Sequence, residues 1–268
     1  MMHEVIVSPN DGTSFTKERV EDQLRAVSPF VSAKEDGWQY ANPDTTVRFS
    51  LDWEPESTGI ACRLPSPRPT FFAREAQELL HRLRGSLDVR VEEPETWKQS
   101  HARSVEALTA EGITLPRWSA DDAETWWRYM RTRRALLERL DEQGVFVPQV
   151  FLFSDKRDEP RVRTAMVWCD AQATVFPTCD LVMILDKSAE PTPWGQDTRL
   201  RGFVDRAQVL SALANHLQTV ATDVGELPMF GAKLSPAGRS VFRQLSVEPP
   251  PSSDQFEGIS ADRPIDEL

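Results

Sequence analysis

The sequence predicts an α+β fold with mostly antiparallel sheets and packed helices. Three observations favour this class: short alternations of apolar and polar residues, amphipathic stretches at helical spacing, and strand signals that follow one another across polar turns. The order of elements indicates two units, βαβββαβ and then two helices, about four strands and a long helix. We therefore expect domains at residues 1–95 and 96–245, followed by a disordered acidic tail at residues 246–268.

Local patterns predict seven elements in the first unit. Residues 16–27 place Val20, Leu24 and Val27 at the spacing of an amphipathic helix. Residues 46–53 alternate apolar and polar side chains after the turn sequence Asn42-Pro43-Asp44, which predicts an antiparallel hairpin. The full predicted order is strand 3–7, helix 16–27, strands 38–40, 46–53 and 59–64, helix 71–83 ended by Gly85, and strand 87–91.

Longer helices and then consecutive strands characterise the second unit. The helix over residues 119–143 has the clearest signals, with Ser119 as N-cap, Asp121 and Asp122 near its start, and Gly144 after its end. Strands joined by short links predict an antiparallel sheet. The predicted order is helices 95–110 and 119–143, strands 145–153, 161–168, 173–176 and 181–185, a loop at 190–202, a long helix at 204–220, and irregular structure at 227–245.

Arg133 is the candidate binding residue that helical geometry singles out. At about 100° per residue it falls inside the apolar arc of the helix, together with Trp126 and Tyr129. A guanidinium on an apolar face must find a carboxylate, carbonyls or an anionic ligand, or extend its charged end to solvent. If Arg133 has only a structural role, it forms an internal salt bridge or extends its aliphatic stem so that the charged end reaches solvent.

The functional interpretation of this helix is an anion-binding or partner-binding pocket with cation–π support. Trp126 and Trp127 lie about 100° apart on the helix, so one of them could be exposed, and tryptophan beside arginine is typical of interface hot spots. The predicted binding residues are Trp126, Trp127, Tyr129, Arg133 and Arg134.

No recognisable catalytic or cofactor motif occurs in the chain. The pairs Cys169-Asp170 and Cys179-Asp180 could offer metal ligands, but structural zinc prefers more closely spaced cysteines, so we expect core cysteines and no metal. The four histidines are scattered, and glycine-rich phosphate loops and nucleophile elbows are missing. We expect no cofactor and no enzyme, although an active site assembled from dispersed acids and histidines stays open.

Composition limits the class of partner and the compartment. The net charge of −11 argues against nucleic acid, and the longest apolar runs are far too short for a membrane span. The N-terminus lacks the features of a signal peptide, and three cysteines fit a reducing compartment, so we expect a cytoplasmic protein. The excess of arginine over lysine, 25 to 6, suggests a bacterial source with a GC-rich genome.

These observations favour a non-enzymatic protein-binding role. The most concrete form is an immunity protein or antitoxin that neutralises a cationic effector, because acid-on-base complementarity provides steering and specificity. The alternative is a hydrolase or transferase that holds an anionic substrate with Arg133 in a cleft between the two units. A sensor that binds a small ligand in the same cleft without turnover is a third possibility.

Overall fold

The computed structural model describes residues 1–10, 16–55, 59–157, 159–187, 198–231, 236–249, 251–252 and 254–266. It confirms the α+β class, with helices alongside sheets that are mostly antiparallel. The chain forms two compact units, unit 1 (Met1–Ala123 with Ser260–Leu268) and unit 2 (Glu124–Ile259). These units differ from the domains that we predicted, because elements after residue 95 and the C-terminal residues belong to unit 1.

The described elements are as follows in chain order. The helices are α1 (Lys17–Val27), α2 (Thr70–Ser86), α3 (Trp97–Ala110), α4 (Ala120–Asp141), α5 (Arg206–Ala212) and α6 (Pro236–Gln244). The strands are β1 (Met2–Pro9), β2 (Val31–Lys34), β3 (Gly37–Ala41), β4 (Arg48–Glu54), β5 (Gly59–Pro65), β6 (Val89–Glu92), β7 (Arg117–Trp118), β8 (Val150–Asp155), β9 (Arg161–Cys169), β10 (Thr174–Val175), β11 (Leu181–Lys187), β12 (Thr198–Asp205), β13 (Leu217–Thr222), β14 (Gly225–Phe230), β15 (Phe256–Ile259) and β16 (Ile265–Asp266).

Unit 1 contains a six-stranded antiparallel sheet in the order β2-β3-β4-β5-β1-β6. The predicted hairpin is confirmed as β3 and β4, in which Tyr40 lies opposite Phe49 with the rings stacked at 4.5 Å. Strand β2 was missed because its side chains are largely exposed and show no alternation. Helix α2 continues through Gly85, so this glycine does not end the helix as predicted.

Unit 2 contains a sheet in the order β12-β11-β9-β8-β15 and a smaller sheet in the order β10-β14-β13. The prediction of an antiparallel arrangement holds for most pairs but is wrong for β9 and β11, which run parallel. The chain leaves the larger sheet between these two strands to form β10, which pairs with β14 instead. A detour through another sheet allows neighbouring strands to run in the same direction.

The predicted long helix at residues 204–220 is wrong. The chain stays in strand β12 through Asp205, forms the short helix α5 and a single 3₁₀ turn at Ala214–His216, and then continues as β13. The stretch at 227–245, for which we predicted irregular structure, includes most of β14 and all of α6. Apolar spacing alone suggested a helix here, and pairing with β11 and β14 overrides that local preference.

The C-terminal tail, predicted to be disordered, contains two strands in its described residues. Phe256 on β15 is buried and its ring stacks on Phe153 at 4.5 Å. Asp266 on β16 is also buried, and its Oδ2 atom accepts hydrogen bonds from the backbone amide and the hydroxyl of Thr70 at the start of α2. These tertiary contacts offset the ordering entropy that the composition of the tail suggested would dominate.

Within the described ranges, no helix is both long enough and apolar enough to cross a membrane.

Candidate functional site

The predicted aromatic residues of α4 are core residues of unit 2. Trp126, Trp127 and Tyr129 are each less than 5 % exposed, so neither tryptophan is exposed at the surface. The indole nitrogen of Trp126 donates to the Val150 carbonyl at 2.9 Å, and the Tyr129 hydroxyl donates to the Pro148 carbonyl at 2.6 Å. These bonds satisfy the polar ends of both rings and attach α4 to the chain around the start of β8.

Arg133 lies at the edge of this buried aromatic group. It is half-buried, and its Nε atom has no hydrogen-bond partner among the described residues. Burial raises the pKa of Tyr129, and the nearby charge of Arg133 opposes that shift only in part. Arg134 is exposed. The structure thus brings Arg133 close to Tyr129, while a binding role for the five predicted residues stays a prediction.

The two Cys-Asp pairs belong to different surroundings. Burial raises the pKa of Cys179 to about 12, and its thiol donates to the Leu181 carbonyl at 3.3 Å, so this half-buried cysteine, which packs against the hydrophobic core, is protonated at neutral pH. Cys169 is half-buried and precedes a tight turn. Among the residues that the structure describes, no group of three or more histidine, cysteine, aspartate or glutamate side chains could hold a metal ion.

The turn after β9 has an unusual backbone conformation. Asp170 and Ala171 have φ angles of +46° and +52°, and the amide of Gln172 donates to the Cys169 carbonyl at 2.9 Å. Consecutive left-handed residues are typical of type I′ turns, which favour asparagine and glycine. A left-handed alanine costs about 1 kcal/mol or more, so packing must enforce this conformation. Because the turn lacks glycine, its residues do not predict this conformation.

This turn lines a polar cavity of about 410 Å³ in unit 2, which we call the turn cavity. Arg239 and Arg243 line it from α6, and their spacing of four residues places both on one face of that helix. Phe242 between them is 3 % exposed and packs edge-to-face on Trp168 at 4.8 Å, which holds α6 in place. The lining residues are Cys169, Asp170, Ala171, Gln172, Asp186, Arg239, Phe242 and Arg243.

A second cavity, of about 420 Å³, lies in unit 1 beside two buried histidines. Trp97 stands between the rings of His3 and His101, at centroid distances of 5.3 Å and 6.1 Å. Burial lowers the pKa of His101 by more than the Asp266 charge and the Arg68 backbone raise it. Burial likewise lowers the pKa of His3 against the opposing charge of its partner Glu93, whose Oε1 is 3.1 Å from His3 Nε2.

These histidines are best explained as structural residues. Both are about 3 % exposed or less and are packed against the Trp97 ring, so their imidazole rings offer little accessible surface to a ligand in the cavity. Their lowered pKa values keep them neutral at pH 7, which suits an aromatic environment. No sequence motif pointed to them, because His3 and His101 are brought together only by tertiary packing.

Electric charge is divided unequally between the two units. Unit 1 contains 24 acidic and 15 basic residues, a net charge of −9, whereas unit 2 contains 18 acidic and 16 basic residues, a net charge of −2. Acidity is therefore a property of unit 1. The sequence alone had suggested that almost half of it belonged to a disordered tail.

Residues 106–122 of unit 1, which we call the α3–α4 segment, display part of this charge at the surface. Glu106, Glu111, Asp121 and Asp122 are exposed, and none of them forms an ion pair with a described residue. Ile113 in the same segment is 45 % exposed. Asp121 and Asp122 also stabilise the positive end of the α4 dipole, which is their structural role.

Comparisons of this chain with protein-family models, with curated proteins and with solved structures found no match.

Proposed function

We propose that this protein is a non-enzymatic binding protein that holds a basic protein partner against the acidic surface of unit 1. An immunity protein or antitoxin that neutralises a cationic effector is the concrete form of this proposal. The observation that carries it is the concentration of net charge, −9 of the total of −11, in unit 1. Such a field attracts a basic protein over long distances and disfavours acidic competitors.

The α3–α4 segment supplies the contacts that the proposal needs at short range. Its four exposed carboxylates have no ion pair with a described residue, so a partner's arginines and lysines would not have to displace internal cations. Ile113 adds an apolar side chain that a partner can bury. Charged groups of this kind at an interface mainly set the association rate and the salt dependence of binding.

The proposal is tested with the full-length protein as bait in an extract of its native host. The test variant is E106Q/E111Q/D121N/D122N, which removes four charges from the α3–α4 segment. The matched control is E18Q/D22N/E35Q/D36N, which removes four exposed carboxylates from α1 and the β2–β3 turn of the same unit. We expect the wild type and the control to retain a basic protein that high salt releases, and the test variant to retain much less of it.

Two results would contradict the proposal. One is that the wild type retains no basic protein in a salt-sensitive manner. The other is that the test variant and the control retain the same partner equally well, since the α3–α4 segment would then contribute nothing specific.

A further inference from the structure

We infer that the turn cavity of unit 2 is a binding site for a small zwitterion of the amino acid type. The ligand's carboxylate would bind Arg239 and Arg243, and its ammonium group would face the carboxylates of Asp170 and Asp186. This site is separate from the α3–α4 segment, and it rests on different observations from the proposed function.

The two arginines supply the anion-binding side of the site. They lie one helical turn apart on α6, they line the same cavity, and neither forms an ion pair with a described residue. In a chain with 42 acidic and 31 basic residues, internal carboxylate partners are plentiful. Guanidinium groups bind carboxylates through paired, charge-assisted hydrogen bonds, which suits the carboxylate of an amino acid.

Two of the residues that line the cavity are acidic. Asp170 and Asp186 balance the formal charge of the two arginines, so the cavity complements a dipolar ligand better than a simple anion. The nearest contact of Asp186 with Arg201 is 3.6 Å, longer than a strong ion-pair hydrogen bond. Arg201 is held by other contacts, because it donates to the Phe242 carbonyl at 2.7 Å and lies over the Phe242 ring.

The turn and α6, which both line the cavity, are fixed to one hydrophobic core. Ala171 from the turn and Phe242 from α6 belong to the same buried cluster, together with Trp168. The left-handed turn at Asp170 and Ala171 is therefore enforced by packing, and such enforced conformations occur where a backbone positions groups for a ligand. A volume of about 410 Å³ suits an amino acid.

The test is calorimetric titration of the full-length protein with the twenty common L-amino acids, one at a time. Succinate and inorganic phosphate serve as probes with negative charge only, and putrescine as a probe with positive charge only. The test variants are R239Q/R243Q and D186N. The matched control is R48Q/R84Q, which removes two exposed arginines from unit 1.

We expect at least one amino acid to bind more tightly than the three single-sign probes. Its affinity should fall by about tenfold or more in R239Q/R243Q, which loses the paired hydrogen bonds, and by a smaller factor in D186N. R48Q/R84Q should bind like the wild type. Circular dichroism of each variant checks that the fold is kept.

Three outcomes would overturn the inference. The first is that no amino acid binds at 10 mM, a concentration well above the Kd of about 1 mM that marks weak binding. The second is that R239Q/R243Q binds as tightly as the wild type, and the third is that succinate or phosphate binds as tightly as the best amino acid. The last outcome would identify an anion site without a role for the aspartates. A failure of the proposed protein binding by the α3–α4 segment would leave all of these measurements unaffected.

Discussion

At the scale of single residues, Thr46 has a backbone conformation that is unfavourable for a β-branched side chain. Its φ angle is +59°, in the left-handed region that β-branched residues avoid, and its buried hydroxyl has no partner among the described residues. The turn between β3 and β4 enforces this conformation, since Tyr40 and Phe49 fix the register on either side.

We expect Thr46→Gly to increase the free energy of unfolding by about 1 kcal/mol, because glycine adopts a positive φ without steric cost. Urea denaturation measures the change. Ser32→Gly, on an exposed strand with ordinary backbone angles, is the control and should be neutral or destabilising. A loss of stability in Thr46→Gly would show that the threonine side chain contributes more than its strain costs.

The buried histidines give a second prediction at the residue scale. His3 and His101 have pKa values below the ordinary 6.5, so below that pH the unfolded chain takes up protons that the native state resists. The contribution of these two neutral histidines to the free energy of unfolding is therefore fully present above about pH 6.5 and decreases as the pH falls further. Carboxylates with lowered pKa values, such as Asp155, change the free energy of unfolding only at a lower pH, near and below 3.8.

We expect the free energy of unfolding to decrease between pH 7 and pH 5, and the decrease to be smaller in His101→Gln. Equilibrium denaturation at several pH values measures the slope, which is separate from any loss of stability of this variant at pH 7. His81→Gln replaces an exposed histidine and should leave the slope unchanged. Equal slopes in all three proteins would contradict the assignment of this pH dependence to His101.

At the scale of elements, β15 shows how a short polar tail becomes ordered. The ring of Phe256 stacks on Phe153 and meets Phe203 edge-to-face at 5.5 Å, while β15 pairs with β8 along four residues. Lys156, directly after β8, forms an ion pair with Glu257 on β15. Phe256 is thus the one residue of β15 that is buried.

We expect Phe256→Ala to lower the free energy of unfolding of unit 2 by about 3 kcal/mol, in the range found for buried aromatic residues. Thermal or chemical denaturation measures it, with Gln255→Ala at the exposed neighbouring position as the control. If Phe256→Ala were as stable as Gln255→Ala, the tail would contribute no packing, as the composition had suggested.

The success of sequence-based prediction differed between elements for physical reasons. Helix α4 and the β3–β4 hairpin were predictable because caps, turn residues and periodicity all lie within the segment itself. The parallel pairing of β9 and β11, the strand β13 and the ordered tail depend on partners far along the chain. Local spacing carries no information about such partners.

The candidate sites were harder to predict than the fold. Helical spacing predicted Arg133 on the same arc as Trp126 and Tyr129. It could not show that the indole nitrogen of Trp126 and the hydroxyl of Tyr129 donate hydrogen bonds to backbone carbonyls. The arginines of the turn cavity lie within the stretch at 227–245, for which we predicted irregular structure, so their shared helical face could not be recognised.

At the scale of the whole molecule, the division of charge changes the interpretation of the acidity. The sequence assigned −5 to a tail at residues 246–268 and −6 to the body, whereas the units of the structure carry −9 and −2. The last residues join unit 1, and those before Ser260 join unit 2. The acidic surface is thus part of a folded unit, which can present its charges in a fixed pattern to a partner.

The most direct test of this account is the affinity of the purified full-length protein for the basic partner that it retains, measured at several salt concentrations. We predict that the dissociation constant rises with salt and that E106Q/E111Q/D121N/D122N binds about tenfold more weakly at low salt, while E18Q/D22N/E35Q/D36N changes much less. An affinity that is independent of salt, or equal losses in the two variants, would contradict the claim that the α3–α4 segment binds the partner.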